Sequence, residues 1–176
     1  LNLLMNGNVF LYYGEELGMK GSGKDENKRA PMYWSKDGNA EGMCKGPADM
    51  DDFRMKFDSL EEQQEDPDSI YNYVKQVIRV RNQNPVIARG TTAYLEQYSG
   101  EQCFALTRSY EGSNLLLLGN TSAEAVSVDL TGLTVGGTTA EELVLLGELY
   151  TGEETAERAG TVVTLPAYSI LILGEE

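Results

Sequence analysis

Apolar positions follow two styles along this chain. The first is an unbroken run, Val-Phe-Leu-Tyr-Tyr, that opens at Val9 and closes at Tyr13 between Gly7 and Gly14. A continuous run of β-formers predicts a strand buried on both faces, as in a parallel sheet. Residues 18–58 then show no lasting periodicity. That stretch is rich in Gly, Lys and Asp and is unusually long for a connection, which marks it as functional or excursive. Asp66-Pro67 predicts a helix start, since aspartate caps free amides and proline suits the first helical position. Ile70, Tyr73, Val74, Val77 and Ile78 recur at spacings of three and four, one apolar face. The helix is expected to stop before Asn84-Pro85, because a residue preceding proline avoids helical angles.

The second style begins near residue 90. Short candidate strands occupy 91–98, 102–109, 114–120, 125–130, 143–146, 161–165 and 168–173. Clusters of Gly, Ser and Asn separate most of them, and Pro166-Ala167 makes a tight joint between the last two. Short strands with frequent turns predict an antiparallel sandwich. There is no repeat and no low-complexity tract.

Composition sharpens the division. The chain has 176 residues, 14 Lys+Arg and 28 Asp+Glu, for a net charge of −14. All six methionines and four of the five prolines precede residue 89, and no lysine follows it. We therefore expect two regions, 1–88 and 89–176. The acid excess argues against a nucleic-acid partner, which needs cations facing phosphates. It also disfavours an anionic membrane surface. No apolar run is long enough to span a bilayer as a helix. With no histidine, no imidazole serves as base or metal ligand. Cys44 and Cys103 lie far apart with no metal-like spacing, so a disulfide and two free thiols both stay open. The chain opens in mid-pattern at Leu1 rather than Met, from which we expect part of a longer protein.

Two segments carry candidate chemistry. In Gly-Asn-Val-Phe-Leu-Tyr-Tyr-Gly-Glu-Glu-Leu-Gly-Met, from Gly7 to Met19, a buried strand would deliver Glu15 and Glu16 at its C-terminal end, where α/β sheets bind ligands. Adjacent carboxylates point apart and make no obvious acid/base pair; one of them bonding to backbone or to an arginine is the plainer reading. Lys24 to Ser35 gathers Asp25, Glu26, Asn27, Arg29, Tyr33 and Trp34. Polar forks beside flat aromatics suit sugar hydroxyls and ring faces, although a solvated loop pinned by Pro31 and Trp34 explains the same residues. The Asp-Met-Asp-Asp run at 49–52 lacks the spacing of a calcium loop and reads as solvated.

These segments resemble the α-amylase family of glycoside hydrolases. Its eighth barrel strand reads G-x-P-x-(I/L)-x-Y-G-x-E-x-G, met here at Gly7, Leu11, Tyr13, Gly14, Glu16 and Gly18, with Val9 in place of proline. The following N-x-R-(T/A)-P-M-x-W is met at Asn27, Arg29, Pro31, Met32 and Trp34. The stretch from Asp66 to Gly90 is similar to the family's eighth helix and barrel exit, ending in the pair Arg89-Gly90.

The resemblance implies a mixed fold: the C-terminal piece of a (β/α)8 TIM barrel over 1–88, then an antiparallel Greek-key β-sandwich over 89–176. It implies an α-glucan-acting retaining glycosidase whose nucleophile, acid/base and third carboxylate all lie upstream. No catalytic residue and no metal ligand is assigned here, and the chain alone is expected to be inactive. Calcium, where members hold it, would sit on upstream residues, so no cofactor is expected in this chain. Tyr13 and Glu16 would hold the strand rim, and Asp25, Arg29 and Trp34 would border the acceptor side of the cleft. The substrate-binding candidates are thus Glu16, Asp25, Arg29 and Trp34, toward an α-glucan or maltooligosaccharide. A lone barrel strand has unpaired backbone, so the missing N-terminal barrel portion is one expected partner and self-association through Val9–Tyr13 is another. The alternative is a stand-alone β-sandwich carbohydrate-binding module, with Tyr94, Tyr98 and Tyr110 as a platform rather than as core. The linkage acted on stays open, and the compartment tilts toward secretion.

Overall fold

A computed structural model describes residues 1–175. Three helices come first: α1 (Leu60–Glu65), α2 (Ile70–Gln83) and α3 (Pro85–Arg89). Ten strands follow: β1 (Thr91–Tyr94), β2 (Cys103–Tyr110), β3 (Ser113–Asn120), β4 (Val126–Asp129), β5 (Thr134–Val135), β6 (Thr138–Thr139), β7 (Val144–Leu149), β8 (Glu157–Ala159), β9 (Val162–Leu165) and β10 (Ile170–Gly174). The chain divides into two compact units. One holds Leu1–Val9 with the residues from Gln76 onward; the other is Phe10–Lys75. These boundaries differ from the composition shift near residue 88.

In the first unit every pairing among the described residues is antiparallel. A five-stranded sheet runs β1-β2-β3-β10-β7, a three-stranded sheet runs β4-β9-β8, and β5 pairs with β6. The β2–β3 hairpin turns on Glu111 and Gly112, both at positive φ (49° and 87°), as a tight two-residue turn requires. Leu116, Leu118, Leu171 and Leu173 of the large sheet share one core with Val128, Val163 and Leu165 of the small one.

The four leucines Leu115 to Leu118 are all fully buried. Antiparallel strands usually alternate apolar and polar, so a continuous run needs cover on both faces. Helix α2 reaches the same sheet at β7, two strands from β3. A side chain at Gly147 would meet Val80 at 3.0 Å, and Gln76 donates to the Glu148 carbonyl at 2.8 Å. Glycine at 147 is what lets the helix come this close.

Several expectations need correction. Residues 9–13 form no strand, and Phe10 is 86% exposed, with Leu11, Tyr12 and Tyr13 also outside. A parallel strand exists only when neighbours take its N–H and C=O groups, and no described residue pairs with this run. Helix α2 starts at Ile70 rather than at Asp66-Pro67; the Asn72 N–H donates to Ser69 Oγ at 3.2 Å, so serine caps it. Its end at Gln83 falls where Asn84-Pro85 predicts, but Pro85 then opens α3, which the pattern does not announce. The short elements α1, β5, β6 and β8 also went unforeseen. Of the three tyrosines, Tyr94 is exposed, Tyr110 half-buried, and Tyr98 buried with its hydroxyl donating to the Thr131 carbonyl at 3.1 Å. Cys44 and Cys103 are both free thiols.

Candidate functional site

The second unit is organised around a glycine-bounded turn. Gly14 and Gly18 both have positive φ (87° and 63°), and Glu15–Leu17 between them forms one turn of 3-10 helix. The Gly14 N–H donates to the Glu16 carboxylate at 2.8 Å, and the Met19 N–H returns to the Gly14 carbonyl at 2.9 Å. A side chain at Gly14 would strike Met19 Sδ at 2.6 Å; one at Gly18 would strike Phe57 and Ile70 at 2.6 and 2.7 Å. Positive φ favours glycine at both positions, and a side chain at either would also push its neighbours aside.

Beside this turn lies a cleft of about 400 Å³, lined among others by Tyr12, Tyr13, Glu15, Asp25, Lys28 and Arg29. The Tyr13 hydroxyl donates to the Ala30 carbonyl at 3.0 Å, which ties the turn to the loop. Desolvation, then the adjacent Tyr12, holds the Tyr13 phenol above its ordinary pKa. The two rings lie 4.7 Å apart and tilted.

One buried side chain fixes the loop. Asn27 Nδ2 donates to the Ser22 carbonyl and to Asp51 Oδ2, each at 2.8 Å, while its Oδ1 accepts the Asp51 N–H at 2.9 Å. Lys24 closes on Asp51 at 2.7 Å. These hydrogen bonds, Asn27 first and Lys24 second, hold the Asp51 carboxyl below its usual range. Gln63 plays the same part at α1. Its Nε2 donates to the carbonyls of Leu17 (3.0 Å) and Asp58 (2.7 Å), and its Oε1 accepts the Tyr71 N–H (3.1 Å). Glu62 accepts the Ser59 N–H and hydroxyl and pairs with Lys36 at 2.9 Å. The Lys36 bond, followed by those from Ser59, draws the Glu62 carboxyl down to about 2.

The four sequence candidates separate in this geometry. Asp25 and Arg29, at the two ends of the 3-10 helix Asp25–Arg29, line the cleft with an ion pair at 3.4 Å and Glu26 at 3.6 Å from the same guanidinium. Glu16 is occupied in closing its own turn. Trp34 is 42% exposed and does not line the cleft. Asn27 and Gln63 are the residues that sequence reasoning undervalued. A polar side chain without periodicity gives no signal when its partners lie 24 or 46 positions away. Among the described residues no cluster of three acids or cysteines is placed to hold a metal.

The family model "Alpha amylase, catalytic domain" matches residues 1–90. The chain belongs to the alpha-amylase family. A solved structure of Eubacterium rectale Amy13B is 43% identical with a TM-score of 0.91, over 99% of this chain and 33% of that one. Alpha-amylase 3 of Dictyoglomus thermophilum is 32% identical over 88 residues, half of this chain and 18% of that protein. The alpha-amylase of Streptomyces lividans is 26% identical over 181 residues, 98% of this chain and 18% of that protein. The chain thus spans under a fifth of these two relatives and a third of that structure.

Alpha-amylase membership implies a TIM-barrel-related fold for the catalytic-domain match. That match takes in the glycine turn, the cleft and all three helices. The strands from β1 onward lie outside it, yet the likeness to Amy13B runs through them as well.

Proposed function

We propose that this chain is the C-terminal part of a retaining glycoside hydrolase of the alpha-amylase type, acting on α-glucans. In this reading 1–88 completes a (β/α)8 barrel, 89–176 forms a Greek-key sandwich, and neither carries a catalytic carboxylate. The observation that carries the reading is the likeness to Amy13B along 99% of the chain. The antiparallel pairing from β1 to β10 and the core shared by its two larger sheets support the sandwich.

The contribution of the chain is structural. Retaining hydrolysis needs two carboxyls about 5 to 5.5 Å apart across the scissile bond. Glu16 is engaged by the Gly14 amide, and Asp25 is paired to Arg29. Asp25 and Arg29 at the cleft, with Glu16 and Trp34 beside them in sequence, would border bound sugar in the longer protein. The exposed run from Val9 to Tyr13 would pair with the rest of the barrel or, when the chain is isolated, with a second copy.

The test is direct. The purified chain is incubated with maltooligosaccharides, and an antibody raised to it is used to size the natural protein. We expect no cleavage, and a natural species larger by about 250 residues or more, the size of a barrel. Cleavage by the chain alone would overturn the reading, as would a natural species of 176 residues. In the second case binding of α-glucan by the strands would be the reading to pursue.

A further inference from the structure

Arg108 stands where the strand pattern calls for an apolar side chain. It shares a face of β2 with buried Leu106 and is itself 0% exposed. A buried charge is costly unless something compensates it. The chain has twice as many acids as bases, yet among the described residues no carboxylate pairs with Arg108 or with Arg81. Burial, followed by the charge of Arg81, pulls the Arg108 pKa below its ordinary value.

What meets the two guanidiniums is mostly backbone. Arg81, near the end of α2, donates to the carbonyls of Leu3 (2.9 Å), Met5 (2.6 Å) and Gly7. Arg108 donates to the Leu4 carbonyl at 2.7 Å and to Thr92 Oγ1, leaving its buried Nε without an acceptor. Four carbonyls of one short stretch therefore end on two cations. Among the described residues the stretch has no strand partner, so these bonds take the place of a ladder. Leu4 is fully buried beneath them, and the Gly7 N–H donates to the Ala88 carbonyl at 2.8 Å.

We propose that Arg108 and Arg81 are positioning residues, a guanidinium clamp by which strand β2 and helix α2 together set the path of the backbone from Leu3 to Gly7. The purpose rests on the function proposed above. The gripped stretch lies inside the catalytic-domain match at 1–90, and Arg108 lies outside it. Through Arg108 the all-β half thereby helps to hold the segment that precedes the glycine turn in sequence. Arginine is required because its planar fork reaches several acceptors at once, whereas lysine presents a single ammonium.

The experiment is amide hydrogen exchange on the full chain and on Arg108→Met, Arg108→Lys and Arg81→Met. We expect protection at Leu4, Met5 and Gly7 to fall about tenfold or more in all three, while amides of β3 and β10 keep theirs. Unchanged protection at those three amides would overturn the clamp. So would a loss shared equally with β3 and β10, or full rescue by lysine. Should Arg108→Met not fold, Arg81→Met decides alone, since Arg81 is only partly buried. Exchange reads the clamp whether or not the longer protein cleaves glucan, so its failure leaves the family reading standing.

Discussion

The strands from β1 to β10 and the unit Phe10–Lys75 are held by different bonds. In the strands the backbone answers itself through long ladders, and leucines fill both faces of the central strand β3. In Phe10–Lys75 the backbone has no ladder, and a few polar side chains stand in for one: Asn27, Gln63 and Glu62. The first construction fails when its core is opened. The second fails locally, at whichever side chain is removed.

The comparison breaks most visibly at the core. Leu117→Ala deletes a fully buried side chain and is expected to cost about 3 kcal/mol of global stability. Urea unfolding followed by far-UV circular dichroism measures it; a loss below about 1 kcal/mol would mean the strands do not depend on that face. Asn27→Ala removes three hydrogen bonds and leaves the Asp51 amide unanswered, at about 2 kcal/mol. Here the loss is expected to stay local: limited proteolysis should open residues 18–58 while the β-sheet signal is unchanged. Simultaneous melting of both would erase the distinction.

Acid sharpens it further. The Glu62 carboxyl is depressed from 4.5 to about 2 in the folded chain. A depressed carboxyl stabilises fully above its unfolded pKa, and that contribution fades as pH falls from 4.5 toward 2. Asp51, lowered by Asn27 and then Lys24, has the same sign. Protease sensitivity of 18–58 should therefore rise across this window before the strands respond, and Glu62→Gln should flatten the rise. The smallest effect is expected at Arg29. Its ion pairs with Asp25 and Glu26 are exposed, so Arg29→Ala should shift stability by less than about 0.5 kcal/mol. On the function proposed above, the same change should weaken maltooligosaccharide binding by the full-length protein, and calorimetric titration with unaltered affinity would remove Arg29 from the candidates.

The same contrast governs what the sequence reveals. The longer strands were legible because their apolar runs lie between turn residues and find partners within this chain, and the end of α2 because Asn84-Pro85 acts locally. The glycines at 14 and 18 were legible as a motif, although their reason, the approach of Met19, Phe57 and Ile70, lies in the folded packing. Residues 9–13 misled because an apolar run records what the chain is suited to do, and pairing also needs a neighbour. Ser69 displaced Asp66 as the cap because both are good caps three positions apart and only packing chooses. Arg108 drew no notice for a different reason: its carbonyl acceptor at Leu4 lies 104 positions away, and no local pattern points to it.

The leucines of β3 also impose an order in time. Their partner on one side, β2, is joined to them by the Glu111-Gly112 turn, and short hairpins close within microseconds. Their partner on the other side, β10, comes much later in the chain, after β4 to β9. Until it arrives, β3 presents an open, uncharged edge of four consecutive leucines, the kind of surface that recruits strangers. A strand buried on both faces in the finished molecule is thus an exposed hazard in the unfinished one, and its safety depends on how soon β10 reaches it.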